Sequence, residues 1–128
     1  MRLLLDTHAL LWWLLESPKL PESWRLALAS PQNDVYVSAA SIWEIAIKRS
    51  LGKLQLPAQE DIASLPERCH FDSLPCSAIH AARTEALPWH HRDPFDRMLV
   101  AQSLCEKLDL VSADPAMRDY EVSLFDGG

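Results

Sequence analysis

Short apolar runs that alternate with helical patterns constrain this chain more than any other feature. Strands are predicted at residues 2–5, 34–38 and 110–113, and a helical pattern follows each of them. Further short strands are predicted at residues 71–74 and 122–125. Because alternating strands and helices favour a parallel sheet covered on both faces, we expect an α/β fold. The expected architecture is a three-layer sandwich around a central parallel sheet of four or five strands.

The helical patterns between these strands have recognisable ends. Helices are predicted at residues 8–16, 22–29, 39–49, 58–69, 77–86 and 93–108, a short helix is predicted to start at residues 114–115, and residues 88–92 are expected to form a loop. Gly52 is placed to end the third helix, whereas Pro66 weakens the prediction of the fourth. A chain of 128 residues is of single-domain length, so we expect one domain over residues 1–128.

Several features favour a cytoplasmic location. No apolar run approaches the roughly 18 residues of a membrane span, and Asp6 interrupts the apolar start, which is unlike a signal peptide. The three cysteines contain no CxxC pair, which fits a reducing compartment better than a disulfide framework. We therefore expect a cytoplasmic protein that does not contact a membrane.

The charge balance disfavours one way of binding nucleic acid. Acidic residues outnumber basic residues 18 to 12, which gives a formal charge of −6. Binding by bulk charge needs many contacts between Lys or Arg and phosphate, so this composition disfavours it. It does not exclude an enzyme that meets nucleic acid through metal ions and a local basic rim.

Four carboxylates are expected at one edge of the sheet. Asp6 and Asp114 directly follow predicted strands, and Glu44 and Asp96 lie near the starts of helices that enter at the same edge. Like charges this close repel and raise one another's pKa, so they need a counter-charge. A hard divalent cation with oxygen ligands, Mg²⁺ or Mn²⁺, meets that need.

Each of these acids also has a structural interpretation as a helix cap. Asp6 and Asp114 fit N-cap positions, Glu44 closes a Ser-x-x-Glu pattern that begins at Ser41, and Asp96 stands three residues after Asp93. Capping, however, does not require an acid at a buried edge, because Ser, Thr or Asn would serve without the charge. The four acids together therefore favour a function.

Four segments resemble a known family. LLLDTHALLWWL, SAASIWEIAIKRSLGKL, HRDPFDRMLVAQSL and LVSAD, in this order, are similar to the PIN-domain ribonucleases. The resemblance spans residues 3–125 and is closest to the VapC-type toxins of bacterial type II toxin–antitoxin systems. It implies a PIN-like fold and a metal-dependent endoribonuclease that uses one or two Mg²⁺ or Mn²⁺ ions and a metal-activated water, leaving a 5′-phosphate. It also implies a homodimer and a VapB-like antitoxin as partner.

The resemblance assigns roles residue by residue. The acidic quartet of the family falls on four positions that are implied to be both catalytic and metal-binding: Asp6, Glu44, Asp96 and Asp114. Thr7 and Ser112 match positions where the family often has a small polar side chain near the metal, and they are candidate substrate-binding residues. Glu44 either ligates the metal or orients the attacking water. Asp93 lies one turn before Asp96, so the assignment of Asp96 depends on the FDR context.

Basic and aromatic side chains near the acids leave further alternatives. Lys48 either holds RNA phosphates or pairs with Glu44 one helical turn away, and for Arg97 we favour contact with the substrate. Adjacent histidines point apart, so for His91 and its neighbour a loop or rim role is preferred to metal binding. Trp12 and Trp13 cannot share one helix face, so either one lines an interface or the helix is buried on two sides.

Other functions fit these residues less well than a ribonuclease does. A haloacid-dehalogenase-like phosphatase needs a second Asp at position 8, where this chain has His8, and a receiver-like domain needs a phosphoacceptor Asp and a Lys at strand ends that are not evident. Structure-specific DNA nucleases of the same fold carry large insertions, for which 128 residues leave little room. The remaining alternative is a catalytically inert PIN-fold module that binds RNA or protein.

Overall fold

A parallel four-stranded sheet forms the centre of the molecule. The computed structural model describes residues 1–57 and 59–127. In it the strands have the order β3-β2-β1-β4, with β1 at Arg2–Leu5, β2 at Asp34–Ser38, β3 at Asp72–Leu74 and β4 at Asp109–Val111. Leu5 is level with Val37 on one side and with Val111 on the other, so these strands end at one common edge.

Helices cover both faces of this sheet. They are α1 at Thr7–Leu14, α2 at Glu22–Ala29, α3 at Ala39–Ser50, α4 at Leu65–Arg68, α5 at Ala78–Arg83 and α6 at Pro94–Glu106. Single 3₁₀ turns lie at Ile62–Ser64, Thr84–Ala86 and Pro115–Asp119. Among the described residues, no helix combines the length and the apolar character needed to cross a bilayer.

Alternation along β1 divides the core between the two faces. Leu3 and Leu5 belong to one buried cluster with Leu10 of α1 and Ile45 of α3. Leu4 points the other way and packs in a second cluster, whose further members come mainly from α6, β4 and the last 3₁₀ turn: Leu99, Val100, Leu110 and Met117. These two clusters produce the predicted three-layer α/β sandwich.

The predicted elements differ from the observed ones at three places. The helix predicted at 58–69 is wrong: residue 58 lies outside the described part, and the rest forms a 3₁₀ turn followed by the single turn α4, which contains Pro66. The strand predicted at 122–125 is reduced to one bridge between Leu110 and Leu124. The helix predicted at 77–86 divides into α5 and a 3₁₀ turn at Thr84–Ala86.

Gly52 ends α3 as its position in the sequence predicts. Its φ of +71° is in the left-handed region, where a side chain would be strained. The N–H of Gly52 donates to the carbonyl of Arg49, and the N–H of Lys53 donates to that of Lys48, which is the Schellman pattern. The helix therefore ends a full turn beyond Glu44.

Candidate metal centre and active site

The end of β1 carries the most deeply buried acid of the site. Asp6 is 3% exposed and serves as the N-cap of α1, because its Oδ1 accepts from the N–H of Ala9 at 2.8 Å. Burial raises the pKa of Asp6, and hydrogen bonds from Ser112 and Ala9 offset this only in part. The predicted cap is therefore present, but it leaves a buried carboxylate that is costly to charge.

Glu44 has partners on both of its oxygens. Thr7 donates to Oε1 at 2.6 Å, and the Nζ of Lys48 lies 3.0 Å from Oε2. The helix begins at Ala39 and is capped by Ser38, so Glu44 lies inside the second turn and cannot form the capping box suggested by Ser41. That structural interpretation of Glu44 is wrong. Of the two alternatives for Lys48, the pairing with Glu44 is present in the structure.

Asp93 and Asp96 divide two roles between them. Asp93 is the N-cap of α6, and its Oδ1 accepts from the N–H groups of Phe95 at 2.8 Å and Asp96 at 3.2 Å. Capping is therefore the work of Asp93, while Asp96 has its carboxylate near those of Asp6 and Glu44. Burial raises the pKa of Asp96 to about 7, with repulsion from Asp93 as the next cause.

Asp114 lies beyond the end of β4 and closes the fourth corner of the site. Its Oδ1 accepts from the N–H of Ala116 at 2.9 Å, so Asp114 caps the 3₁₀ turn, and Pro115 stands at the first position of that turn, where no N–H is needed. Its own N–H donates to the Oγ of Ser112 at 3.1 Å. Burial alone would raise the pKa of Asp114, but hydrogen bonds from Ala116 and His91 lower it overall.

Four elements thus bring four acids to one edge of the sheet, which we call the acidic edge: Asp6, Glu44, Asp96 and Asp114. The charges of Asp6 and Glu44 raise the pKa of Asp96, and the charge of Asp114 raises the pKa of Asp6. Repulsion therefore links all four acids of the group. Of the four, Glu44 alone has a Lys within ion-pair distance among the described residues. Oxygen donors gathered without matching cations are the donor set that a hard divalent ion prefers, so the residues present fit such an ion.

Sequence reasoning missed His91. Its Nε2 lies 2.9 Å from Oδ2 of Asp114 and 3.1 Å from Oδ2 of Asp96, and these ligand-type atoms all lie within 4.8 Å of one another. No further nitrogen or sulfur ligand is suitably spaced in the sequence, and this favours a loop or rim role for the histidine over metal binding. The carboxylates of Asp96 on α6 and Asp114 after β4 are the sequence signal that could have identified this histidine as part of the site.

Arg97 corrects the prediction that it contacts the substrate. The side chain is 5% exposed, and its guanidinium donates to the carbonyls of Pro88 at 2.8 Å and Thr84 at 3.0 Å. Its Cζ lies 3.7 Å from the centroid of the Trp89 ring, and its Nη1 also donates to the hydroxyl of Tyr120. Its donors are used inside the fold, so Arg97 supports the loop at 88–92 rather than a phosphate.

The remaining basic and aromatic residues have mixed positions. Lys48 is about one-third exposed, so its ammonium can pair with Glu44 and still face solvent. Trp12 and Trp13 are both half-buried against the first core cluster, and Trp13 packs on Phe71 with 5.4 Å between ring centroids. Trp43, next to Glu44 in sequence, is 63% exposed.

This chain is similar to proteins of known family and known structure. A family model for the PIN domain matches residues 3–122. A comparison with curated protein sequences gives no match. The solved structures that are similar include the VapBC2 complex of Rickettsia felis bound to a promoter DNA fragment, at a TM-score of 0.70 and 16% identity over 97% of this chain and 96% of that one.

Two further solved structures have the same fold. The FitAcB structure from Neisseria gonorrhoeae gives a TM-score of 0.62 at 20% identity, covering 98% of this chain and 97% of that one. The VapBC-1 structure from nontypeable Haemophilus influenzae gives 0.60 at 14% identity, covering 99% and 98%. At these identities the likeness establishes the shared fold.

Proposed function

The chain belongs to the PIN-domain family, and on that premise we propose that it is a metal-dependent endoribonuclease that acts as the toxin of a toxin–antitoxin pair. The observation that carries the proposal is the acidic edge, where four buried or half-buried carboxylates converge from four elements. We further propose a single domain over residues 1–128 and activity in the cytoplasm.

The proposed ligands of the divalent ion are Asp6, Asp96 and Asp114. Asp6 and Asp96 are the two proposed ligands whose pKa is raised overall, with burial as the main cause, so they gain most from a nearby positive charge. When bound, one or two Mg²⁺ or Mn²⁺ ions would neutralise charge on the phosphate and lower the pKa of a bound water. Two such ions would also change the formal charge from −6 to −2 (−6 + 4).

Glu44 has a different proposed role. It either completes the ligand set or accepts a hydrogen bond from the attacking water, and its contacts with Thr7 and Lys48 favour the second role. These contacts fix the orientation of the carboxylate, so it presents a lone pair in one direction. Ser112 supports the same edge from the other side through its bonds with Asp6 and Asp114.

Lys48 is the basic residue proposed to meet the RNA backbone. Its partly exposed ammonium lies on α3 one turn from Glu44, and it can offer a donor to a phosphate while it stays paired. Arg97 is not part of this proposal, because its guanidinium is buried and its partners are carbonyls.

A VapB-like antitoxin and a second copy of the chain are the proposed protein partners. The similar structures are described as VapBC and FitAB complexes, two of them with DNA fragments bound, and this supports an antitoxin partner for the present chain. A homodimer is proposed from the family resemblance.

The test is cleavage of total cellular RNA by the purified protein, free of antitoxin, with Mg²⁺ or Mn²⁺. Asp6→Asn and Asp96→Asn should each abolish cleavage, as should EDTA. Asp93→Asn is the matched control, because Asp93 is the cap of α6 and an Asn at an N-cap preserves the hydrogen bonds.

Two results would contradict the proposal. Loss of cleavage only in Asp93→Asn would mean that the wrong acid of α6 has been assigned. A folded wild-type protein that cleaves no RNA with any divalent ion would favour the catalytically inert PIN-fold module that binds RNA or protein.

A further inference from the structure

His91 joins two acids that reach the site from different elements. We propose that His91 is a positioning residue that holds Asp96 and Asp114 at the separation needed for a shared divalent ion, by donating its Nε2–H to both without ligating the ion. The inference rests on the proposed function, since it assumes that the acidic edge binds the ion.

The hydrogen bond at the other ring nitrogen identifies the donor. The backbone N–H of Asp93 donates to Nδ1 of His91 at 3.1 Å, so Nδ1 must present a lone pair. The ring proton is therefore on Nε2, which faces Oδ2 of Asp114 at 2.9 Å and Oδ2 of Asp96 at 3.1 Å. A nitrogen that carries a proton donates to carboxylates and has no lone pair for a metal.

The main chain of His91 is held as firmly as its ring. Its N–H donates to the hydroxyl of Tyr120 at 3.0 Å, and the guanidinium of Arg97 bonds the carbonyls of Pro88 at 2.8 Å and His91 itself at 3.5 Å. The ring is thus fixed at both the backbone and Nδ1. This explains why a buried arginine lies next to the acidic edge: it fixes the loop that delivers His91.

Asp96 and Asp114 have no other bridge between them among the contacts of the described residues. Asp96 is on the first turn of α6, whereas Asp114 caps the 3₁₀ turn at Pro115–Asp119. Carboxylates that bind metals are commonly oriented by outer hydrogen-bond donors, and the loss of such a donor weakens metal affinity by about 10- to 100-fold. A donor shared by both acids fixes their oxygens relative to each other before the ion arrives.

The test measures Mn²⁺ binding by calorimetry, without RNA, on the full chain. His91→Phe keeps a planar ring but removes the donor, and it should weaken Mn²⁺ binding by about 10- to 100-fold. His91→Gln places an amide donor close to the position of Nε2, and binding should remain within about threefold of wild type. His90→Phe is the matched control and should bind as wild type, because His90 is exposed and a Phe ring keeps its packing against Tyr120. Thermal unfolding of each variant verifies that it is folded.

The outcomes separate this inference from the proposed function. If wild type binds Mn²⁺ and cleaves RNA while His91→Phe binds Mn²⁺ equally well, the positioning role is overturned and the ribonuclease stands. If His91→Phe loses Co²⁺ and Zn²⁺ binding but keeps Mg²⁺ binding, the ring is a direct nitrogen ligand and the inference is again overturned. If wild type binds no divalent ion, both proposals fail.

Discussion

Asp96 and Arg97 are adjacent on α6, yet they lie in opposite electrostatic environments. Arg97 is enclosed in what we call the arginine pocket, made by Trp89, Tyr120 and the carbonyls of the loop before α6: Thr84, Leu87 and Pro88. Asp96 is on the acidic edge, where its neighbours are other carboxylates and His91. One buried charge has a full set of partners and the other does not.

The difference shows what this fold can do for a buried charge when structure is the only requirement. The arginine pocket supplies acceptors to both terminal nitrogens of the guanidinium and a ring against its face. Burial raises the pKa of Asp96 to about 7, and repulsion from Asp93, Asp6 and Glu44 adds to this. Among the described residues, His91 is the side chain that pairs with this carboxylate, at 3.1 Å. A carboxyl whose pKa is raised this far by burial and neighbouring acids marks a candidate functional site.

The acidic edge itself contains a smaller version of the same contrast. Glu44 has Thr7 as a partner on one oxygen and Lys48 on the other, so its charge, like that of Arg97, is compensated. Asp6 and Asp96 have no Lys or Arg partner among the described residues, and their pKa values are raised, mainly by burial. Glu44 is therefore prepared to orient a group, and the two aspartates are prepared to receive an ion.

The largest expected effect comes from emptying the arginine pocket. Arg97→Met removes the guanidinium and leaves buried carbonyls without donors, so the free energy of unfolding should fall by about 3–4 kcal/mol. Urea unfolding measures this. Arg92→Met is the control, since Arg92 is an exposed residue of the same loop and should change stability by less than about 0.5 kcal/mol. A loss below about 1 kcal/mol for Arg97→Met would mean that the hydrogen bonds of the arginine pocket contribute little to the stability of the fold.

The next effect comes from Thr7. Thr7→Val preserves shape but removes the donor to Glu44, and a buried hydrogen bond to a charged group contributes about 1.5–3 kcal/mol, so stability should fall by about 2 kcal/mol. Thr84→Val is the matched change, because the hydroxyl of Thr84 bonds only the carbonyl of Ala81 on a more exposed turn. Equal losses in urea unfolding for the two variants would refute the special status of the Thr7–Glu44 bond.

The smallest effect is expected at Lys48. Lys48→Met removes a partly exposed ion pair, so the free energy of unfolding should fall by less than about 1 kcal/mol. Because the same ammonium is proposed to contact RNA, the KM for RNA should rise while kcat changes less. Lys53→Met, an exposed lysine beyond the end of α3, is the comparison. A fall in kcat alone would mean that Lys48 acts only through the orientation of Glu44.

Much of the fold could be predicted because its signals are local. Apolar runs located β1 and β2, and Gly52 marked the end of α3 through a backbone conformation that disfavours other residues. Weak elements were harder, because packing decides them. The pattern at 122–125 is typical of a strand, but it makes only the bridge at Leu124, and Pro66 leaves a single turn in place of a helix.

The acids of the site could be placed from the sequence because each stands at the end of an element whose direction the topology fixes. His91 and Arg97 could not, because their roles depend on the path of an irregular loop. The hydroxyl of Tyr120 and the guanidinium of Arg97 hold that loop by hydrogen bonds to the backbone of His91. No helical or strand periodicity in the sequence predicts these contacts. A buried arginine that bonds carbonyls and an arginine that awaits a phosphate look the same in sequence.

The most direct test of the account is the stability of metal-free wild type and Asp96→Asn against pH. The pKa of Asp96 is raised from an ordinary 3.8 to about 7, so its protonation favours the folded state. This contribution to the free energy of unfolding is fully present below about pH 4 and is lost as the pH rises through about 7. In EDTA, wild type should therefore lose about 1–2 kcal/mol relative to Asp96→Asn between about pH 5 and pH 8, after allowance for partial exposure.

Mg²⁺ completes the measurement. At about pH 8 it should restore the stability of wild type by mass action and have little effect on Asp96→Asn. Urea unfolding with and without the ion gives both numbers. An Asp96→Asn protein that follows the pH profile of wild type in EDTA, or gains as much from Mg²⁺, would contradict the claim that the acidic edge is a cation site.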